Sequence, residues 1–419
     1  MIVFDIFSAY TGRRQFCRLP LQQTSVKLLY AHFLEIRKLL KTTQIMKTNQ
    51  ILNIVRLILV AGFLLAASQL HAQFSITGGD LYAYQIGNNT TAAGTAATPF
   101  FIDQFNTGGT LLNQVAVPVS AAGTFGSGLV ASGQSATEGS LALNPSDSTL
   151  VFMGYSGIAV GTAGVNSQMA AAANRDIGIV DSSGNFSIAA TSTTAFGPSA
   201  GAGRGAVTDG SGNYWAVGTG SSVGVVYYGN NASAAQVTTT SSARSIEIYG
   251  GNLYYTAGSV LDIVSAATGA ANPTTLFTPG GTPDGFVFNP GMTTCYVAEG
   301  AAGGGIQRWD LVGGIWTKSY TLDTASGFSF VTADFSGANP VLYATTLASS
   351  GVDSIDAITD TGAGAGVTVL DTTTETSGDA TFNGLVFDPV ATPEPSVFML
   401  TGLGLVLFIG GWRKMHHQY

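Results

Sequence analysis

The chain has 419 residues, with 16 Lys and Arg against 24 Asp and Glu, and a formal net charge of −8. Hydrophobic residues at 45% supply ample core, which excludes wholesale disorder. Residues 73–392 hold only five basic but 21 acidic side chains, and so acidic a body excludes a nucleic-acid partner.

Residues 1–45 are basic, contain Cys17 and are unlike the body of the chain in composition. They read as a start assigned too early, with Met46 the natural one, or as an extended n-region. Residues 46–72 read as a signal peptide for the Sec translocon. Lys47 and Arg56 give a positive n-region, and Leu57–Ala67 is an apolar run too short to span a bilayer. Cleavage is expected between Ala72 and Gln73, with cleavage after Ser68 as the alternative.

The body, 73–391, is rich in Gly, Ala, Ser and Thr, with short strand-like apolar runs bounded by turn residues. A strand–turn–strand pattern recurs at 141–154, 206–218, 246–258, 286–300 and 330–346. Taking Asn144, Asp209, Tyr249, Asn289 and Asp334 as equivalent, the steps are 65, 40, 40 and 45. Further strands follow at Ile177–Asp181, Gly305–Asp310 and Ser354–Asp360, giving four per unit. The long first step carries an Ala/Gly-rich insertion at 157–174. Periods of this length predict an all-β propeller of four-stranded blades. Phe382–Pro389 is a first strand lacking a second, and Gly79–Tyr84 is a second lacking a first. Joined, with Phe100–Asp103 next, they make a composite blade that closes the ring. Six blades result, or seven if 119–138 hides a degenerate one. A β-helix or stacked sandwiches are the rival architectures.

Signals for chemistry in the body are sparse. All four histidines (His32, His71, His416 and His417) lie outside 73–392, so an imidazole base or ligand is excluded there. Cys295 is the body's one thiol and is expected to pack as a small hydrophobe. Asp353, Asp356 and Asp360, and Asp371, Glu375 and Asp379, lie close in sequence but lack calcium-loop spacing, so they read as solvated turn acids, and most acids of the body fall at turn positions that favour the rim. No cofactor is expected, with Ca²⁺ the one weak candidate, and no catalytic or metal-ligating residue is assigned. Gly201–Gly205 resembles a phosphate loop only in its glycines and reads as a loop. Asp284 opens a blade and would matter only if several acids or amides met at a central channel. Trp215, Trp309 and Trp316 read as inter-blade packing rather than a sugar platform.

The chain ends with Pro393-Glu394-Pro395, an uncharged apolar run Val397–Trp412, and then Arg413-Lys414. The run reads as a C-terminal transmembrane helix with the basic pair cytoplasmic and the body outside. This order in 392–419 resembles the PEP-CTERM sorting signal of Gram-negative bacteria, although the basic tail is short. The resemblance implies recognition by exosortase at Pro393-Glu394-Pro395. It also implies an inner-membrane intermediate followed by delivery to the cell surface or extracellular matrix. The expected function is therefore an exported, non-catalytic surface protein that binds exopolysaccharide or another surface component. The alternatives are a metal-dependent propeller hydrolase or lyase on sugars or lactones, and a purely structural biofilm component. Three or more acids or amides converging on the channel would favour the enzyme.

Overall fold

The computed structural model describes residues 74–87, 96–133, 135, 137–144, 146, 148–197, 201–220, 224–229, 234–240, 242–346, 353–372 and 380–389. The signal-peptide boundary Ala72/Gln73, the sorting residues Pro393, Glu394, Pro395, Arg413 and Lys414, the apolar run before the basic pair, and Glu375 and Asp379 lie outside the described residues. Among those that are described, no helix is long and apolar enough to cross a membrane.

The described chain folds into six four-stranded antiparallel sheets. The first blade contains β1 (Asp80–Gly87), β3 (Phe100–Asn106) and β4 (Leu111–Ala116), with a short β2 (Ala97–Thr98) between β1 and β3. After β5 (Ala131–Ser132), the second blade holds β6 (Ala142–Asn144), β7 (Thr149–Ser156), β8 (Asn174–Val180) and β9 (Phe186–Ala190). The third holds β10 (Gly203–Thr208), β11 (Tyr214–Gly218), β12 (Gly224–Tyr227) and β13 (Ala235–Gln236). The fourth holds β14 (Ala243–Tyr249), β15 (Asn252–Ala257), β16 (Val260–Ser265) and β17 (Thr274–Phe277). The fifth holds β18 (Pro283–Phe288), β19 (Thr294–Glu299), β20 (Ile306–Val312) and β21 (Ile315–Leu322). The sixth holds β22 (Phe328–Asp334), β23 (Val341–Thr346), β24 (Ser354–Thr359) and β25 (Val367–Thr372). Finally, β26 (Ala380–Phe387) returns to pair with β1, giving the order β26-β1-β3-β4. The fold is a six-bladed β-propeller closed by a composite blade. Residues 119–138 add only β5, which pairs with β2, so no seventh blade forms among the described residues.

The strand sequences follow their distance from the axis. Strand β7 is buried at all eight positions, because adjacent blades cover both its faces. The outermost strands β4, β21 and β25 are largely exposed. Between blades the core is aromatic: Tyr84 stacks on Phe100 at 4.5 Å between ring centres, and Phe152 meets both edge-on. Trp215 is buried, while Trp309 and Trp316 pack against Phe277, in keeping with a packing role. Cys295 is fully buried.

The recurrent Asp or Asn at the strand turns works locally. Asp209 Oδ1 accepts the Ser211 N–H at 2.8 Å, Asn289 Oδ1 that of Thr293 at 2.8 Å, and Asp334 Oδ1 that of Ser336 at 2.8 Å. Short acidic and amide side chains hold a turn by bonding backbone two to four residues on.

Candidate functional site

The inner strands β26, β6, β10, β14, β18 and β22 contact one another in ring order. Counting back from each turn residue, the same register on each holds Asn383, Gly139, Arg204, Arg244, Asp284 and Ser329. Five of the six inner ladders carry an irregularity at that register: at 383–384, 204, 244–245, 284–285 and 329. A bulge leaves residues outside the ladder and re-aims their side chains. The fold therefore repeats one local distortion around the ring and hangs polar groups on it.

The next position closes the ring's centre. It reads Gly384, Ser140, Gly205, Ser245, Gly285 and Phe330 around the blades. The glycines are needed for close approach: a Cβ on Gly205 would sit 2.8 Å from Ser140 Cβ, and one on Gly285 2.7 Å from Phe330 Cα. Ser140 Oγ reaches Ser245 Oγ at 3.4 Å across the third blade. Above this constriction lies the mouth, on the side where strand pairs are joined by 157–173, 257–260 and 299–305.

The mouth gathers charges that the sequence scatters. Glu138, Asp284, Glu299 and Asn383 are each only 2–3% exposed. Asn383 Nδ2 donates to the carbonyls of Ser135 and Glu138, both at 2.7 Å, fixing the segment that carries Glu138. Arg244 Nε lies 2.8 Å from Asp284 Oδ1, close but misdirected, since neither atom forms a well-aligned hydrogen bond among the described residues. Arg204 Nη1 makes only long contacts, to Ser242 Oγ at 3.3 Å and the Ala243 carbonyl at 3.4 Å. Glu299 Oε2 accepts the Thr282 N–H at 2.8 Å. Among the described residues, Glu138 Oε1, Arg204 Nε, Asp284 Oδ1 and Glu299 Oε1 are buried without a well-formed hydrogen bond, while the Tyr155 hydroxyl, the Ser132 N–H and the Ser135 side chain lie near the Glu138 carboxyl. Unpaired buried polar atoms cost about 1–3 kcal/mol each, so their clustering at one place marks a site that favours a polar occupant.

Burial also sets the protonation states. Desolvation pushes Glu138 up to about 7, against the Tyr155 hydroxyl and the Arg204 charge. It pushes Asp284 up to about 7 as well, against Arg244 and Arg204, while Glu299 adds to the rise. Arg204 is lowered by burial and then by the like charge of Arg244.

An annex flanks this side of the mouth. Strands β2 and β5 pair, Ala96 bridges Ala163, and Val130 bridges Tyr155. Ala97, Val130, Tyr155, Ile158, Val165 and Ala173 form its own apolar cluster. Arg175, fully buried, donates to the carbonyls of Ala173 at 2.6 Å, Gln168 at 2.8 Å and Gly201 at 2.9 Å, which pins the 157–173 insertion.

On the opposite side, between the fifth and sixth blades, a cleft of about 250 Å³ is lined by Tyr296, Arg308, Phe335 and Asp360 among others. Here the charges are satisfied. Arg308 Nη1 is 2.8 Å from Asp360 Oδ2, Arg308 Nε is 3.0 Å from Asp310 Oδ2, and the hydroxyls of Tyr296 and Tyr320 both donate to Asp360. Asp360 is held below the usual carboxylate range because these bonds outweigh its burial. This cluster is a clasp between blades.

Three expectations are corrected. Asp353, Asp356 and Asp360 are not solvated turn acids: they are 7%, 4% and 4% exposed, because adjoining strands and the neighbouring blade cover them. Residues 203–205 are not a loop: β10 begins at Gly203, and Arg204 stands at its bulge. Nor do the acids gather at the rim, since Asp103, Glu138, Asp176, Asp284 and Glu299 are all buried. The signal for the mouth was present as Arg204-Gly205, Asp284-Gly285 and Asn383-Gly384, a polar residue followed by glycine at one register in alternate blades. Among the described residues, no group of three or more His, Cys, Asp or Glu is placed to hold a metal ion.

No protein-family model matches the chain, and no curated protein matches it. Among solved structures it resembles a protein assigned as a 6-phosphogluconolactonase from Bacteroides uniformis, at 13% identity and a TM-score of 0.41, over 70% of this chain and 82% of that one. It also resembles a chain of a nidogen–laminin complex (12%, TM-score 0.43, 73% and 97%). A third is a gluconolactonase from Xanthomonas campestris (11%, TM-score 0.36, 64% and 83%). Likenesses of this size say nothing about ligand or activity.

Proposed function

We propose that this chain is an exported β-propeller, displayed at the cell surface or in the extracellular matrix, whose channel mouth binds polysaccharide or another surface component without turning it over. The observation that carries the binding half is the cluster of buried, unpaired polar atoms on Glu138, Arg204, Asp284 and Glu299 at one end of the channel. The address half rests on residues 46–72 and 392–419, with the Sec translocon and exosortase as partners and a membrane-held intermediate before release. A bound divalent cation is disfavoured, because Arg204 and Arg244 stand among the acids and would repel it. The test uses the full-length chain purified in detergent and matrix polysaccharide from producing cells. Binding should be saturable and lost in Arg204→Gln and Arg244→Gln together; unchanged binding in that pair would refute the mouth as the site.

Two observations favour a second reading. The acids and amide Glu138, Asp284, Glu299 and Asn383 meet at the mouth, the convergence an enzyme would need. Glu138 and Asp284 titrate near neutral pH, where a general acid and base work well without histidine. A hydrolase or lyase acting on sugars or lactones at the same mouth would use them. The first reading expects no turnover of glycosides, esters or lactones by the full-length chain, with or without Ca²⁺. A rate abolished by Asp284→Ala would decide for the second.

A further inference from the structure

The mouth has a polarity of its own. Arg204 and Arg244 stand on adjacent inner strands, at the same register, each bulged out of its ladder. Among the described residues Arg244 is ion-paired with Asp284, whereas Arg204 makes no ion pair and has an unpaired buried Nε. Two like charges side by side make a basic seam between the third and fourth blades, with the Glu138 and Asp284 charges acting on Arg204 without a direct ion pair. A guanidinium presents donors in a planar fork that matches a carboxylate. Around that seam the carboxyl oxygens without a well-formed hydrogen bond among the described residues are Glu138 Oε1, Glu299 Oε1 and Asp284 Oδ1, the last already ion-paired with Arg244, on side chains at least 97% buried. Acceptors require donors, and on a sugar these are hydroxyls.

Resting on the reading of the mouth as a binding site, we propose that its ligand is a sugar residue carrying a carboxylate, a uronic acid unit, with the carboxylate on Arg204 and its hydroxyls donating to Glu138, Asp284 and Glu299. The anion would offset the repulsion between the two arginines. The hydroxyls would pair the atoms left over at the carboxyl groups. A neutral sugar supplies the second set of contacts but not the first, and a simple anion the first but not the second. Binding should weaken as salt is added, because a charge contact at the seam is partly screened.

Calorimetric titration of the full-length chain in detergent tests this with three probes: tri-galacturonate, galactotriose and a sulfated galactose trimer. Tri-galacturonate should bind at least tenfold more tightly than either other trimer, about 1.4 kcal/mol. Arg204→Gln should cost tri-galacturonate that factor and leave galactotriose unchanged, while Arg204→Lys, which keeps the charge, should retain part of the preference. The melting temperature of each variant shows whether it remains folded. Equal affinity for tri-galacturonate and galactotriose, preference for the sulfated trimer, or an Arg204→Gln chain that still prefers tri-galacturonate would each overturn the uronate assignment while the wider binding reading stands. Failure of all three trimers and of matrix polysaccharide to bind would overturn both.

Discussion

Leu81 and Phe387 are cross-strand partners, joining β1 near the start of the described chain to β26 near its end. Tyr82 with Val386 and Ala83 with Leu385 continue the register. The pairing buries what would otherwise be two sheet edges, and it supplies the sixth inner strand on which Asn383 stands. Leu81, Ala83, Phe382, Leu385 and Phe387 pack in one cluster with Tyr343 and Ile355 of the sixth blade.

Closure is therefore expected to be essential. A chain ending at residue 379 lacks β26, whereas one ending at 389 keeps it. The first should lose cooperative thermal unfolding and self-associate through the bared edge of β1. The second should melt as a single transition. Calorimetry and size-exclusion chromatography compare them, and equal melting would contradict the closure.

Stability should depend on pH in a defined direction. Burial raises Asp103, Glu138 and Asp284 to about 7, so the folded state binds more protons than the unfolded chain between the ordinary carboxylate range and pH 7. Stability then falls as pH rises through that window, and Glu247, raised by burial to about 8, carries the fall beyond it. Melting temperatures should drop from pH 5 to pH 8. Asp284→Asn, which cannot ionise, should flatten the fall.

Gly384 sits where an added Cβ would collide with the Gly139 carbonyl oxygen. The Gly384 N–H also donates to that carbonyl at 2.9 Å, tying the first blade to the second. Gly384→Ala should cost about 1–3 kcal/mol or more by forcing these strands apart. Gly313→Ala, at an open turn with positive φ, should cost less, so chemical denaturation of the pair separates crowding from backbone strain.

The clasp between the fifth and sixth blades makes a separate prediction. The Asp360 side chain is 0% exposed, and removing Arg308 leaves its charge with only the two tyrosine hydroxyls and the Gly362 N–H. Arg308→Met should destabilise by about 1–3 kcal/mol, since it takes a partner from the buried Asp360 carboxylate although Arg308 itself is 27% exposed. Arg308→Met with Asp360→Asn should recover part of the loss, and denaturant midpoints would show it.

The fold was legible because its signals are local and repeated. Each turn Asp or Asn bonds its own backbone, and each strand pair recurs at similar spacing. Even the composite blade could be read, since Phe382–Pro389 and Gly79–Tyr84 each lack the other's half. The mouth was legible only in part, for the opposite reason. Arg204 and Asp284 each precede a glycine at one register, but Glu138, Arg244 and Glu299 share no such motif, and only the ring brings the five together. Arg204 was hidden because Gly203 and Gly205 look like a flexible loop, when they serve a bulge and a close approach. Asp360 looked solvated because its neighbours Arg308, Tyr296 and Tyr320 belong to another blade.

The most direct measurement is a crystal structure of the full-length chain with tri-galacturonate. The account predicts the sugar at the channel mouth, its carboxylate within hydrogen-bond distance of Arg204 and its hydroxyls on Glu138, Asp284 and Glu299. A sugar seated instead in the cleft at Arg308 and Asp360, with only solvent between Arg204 and Arg244, would contradict it.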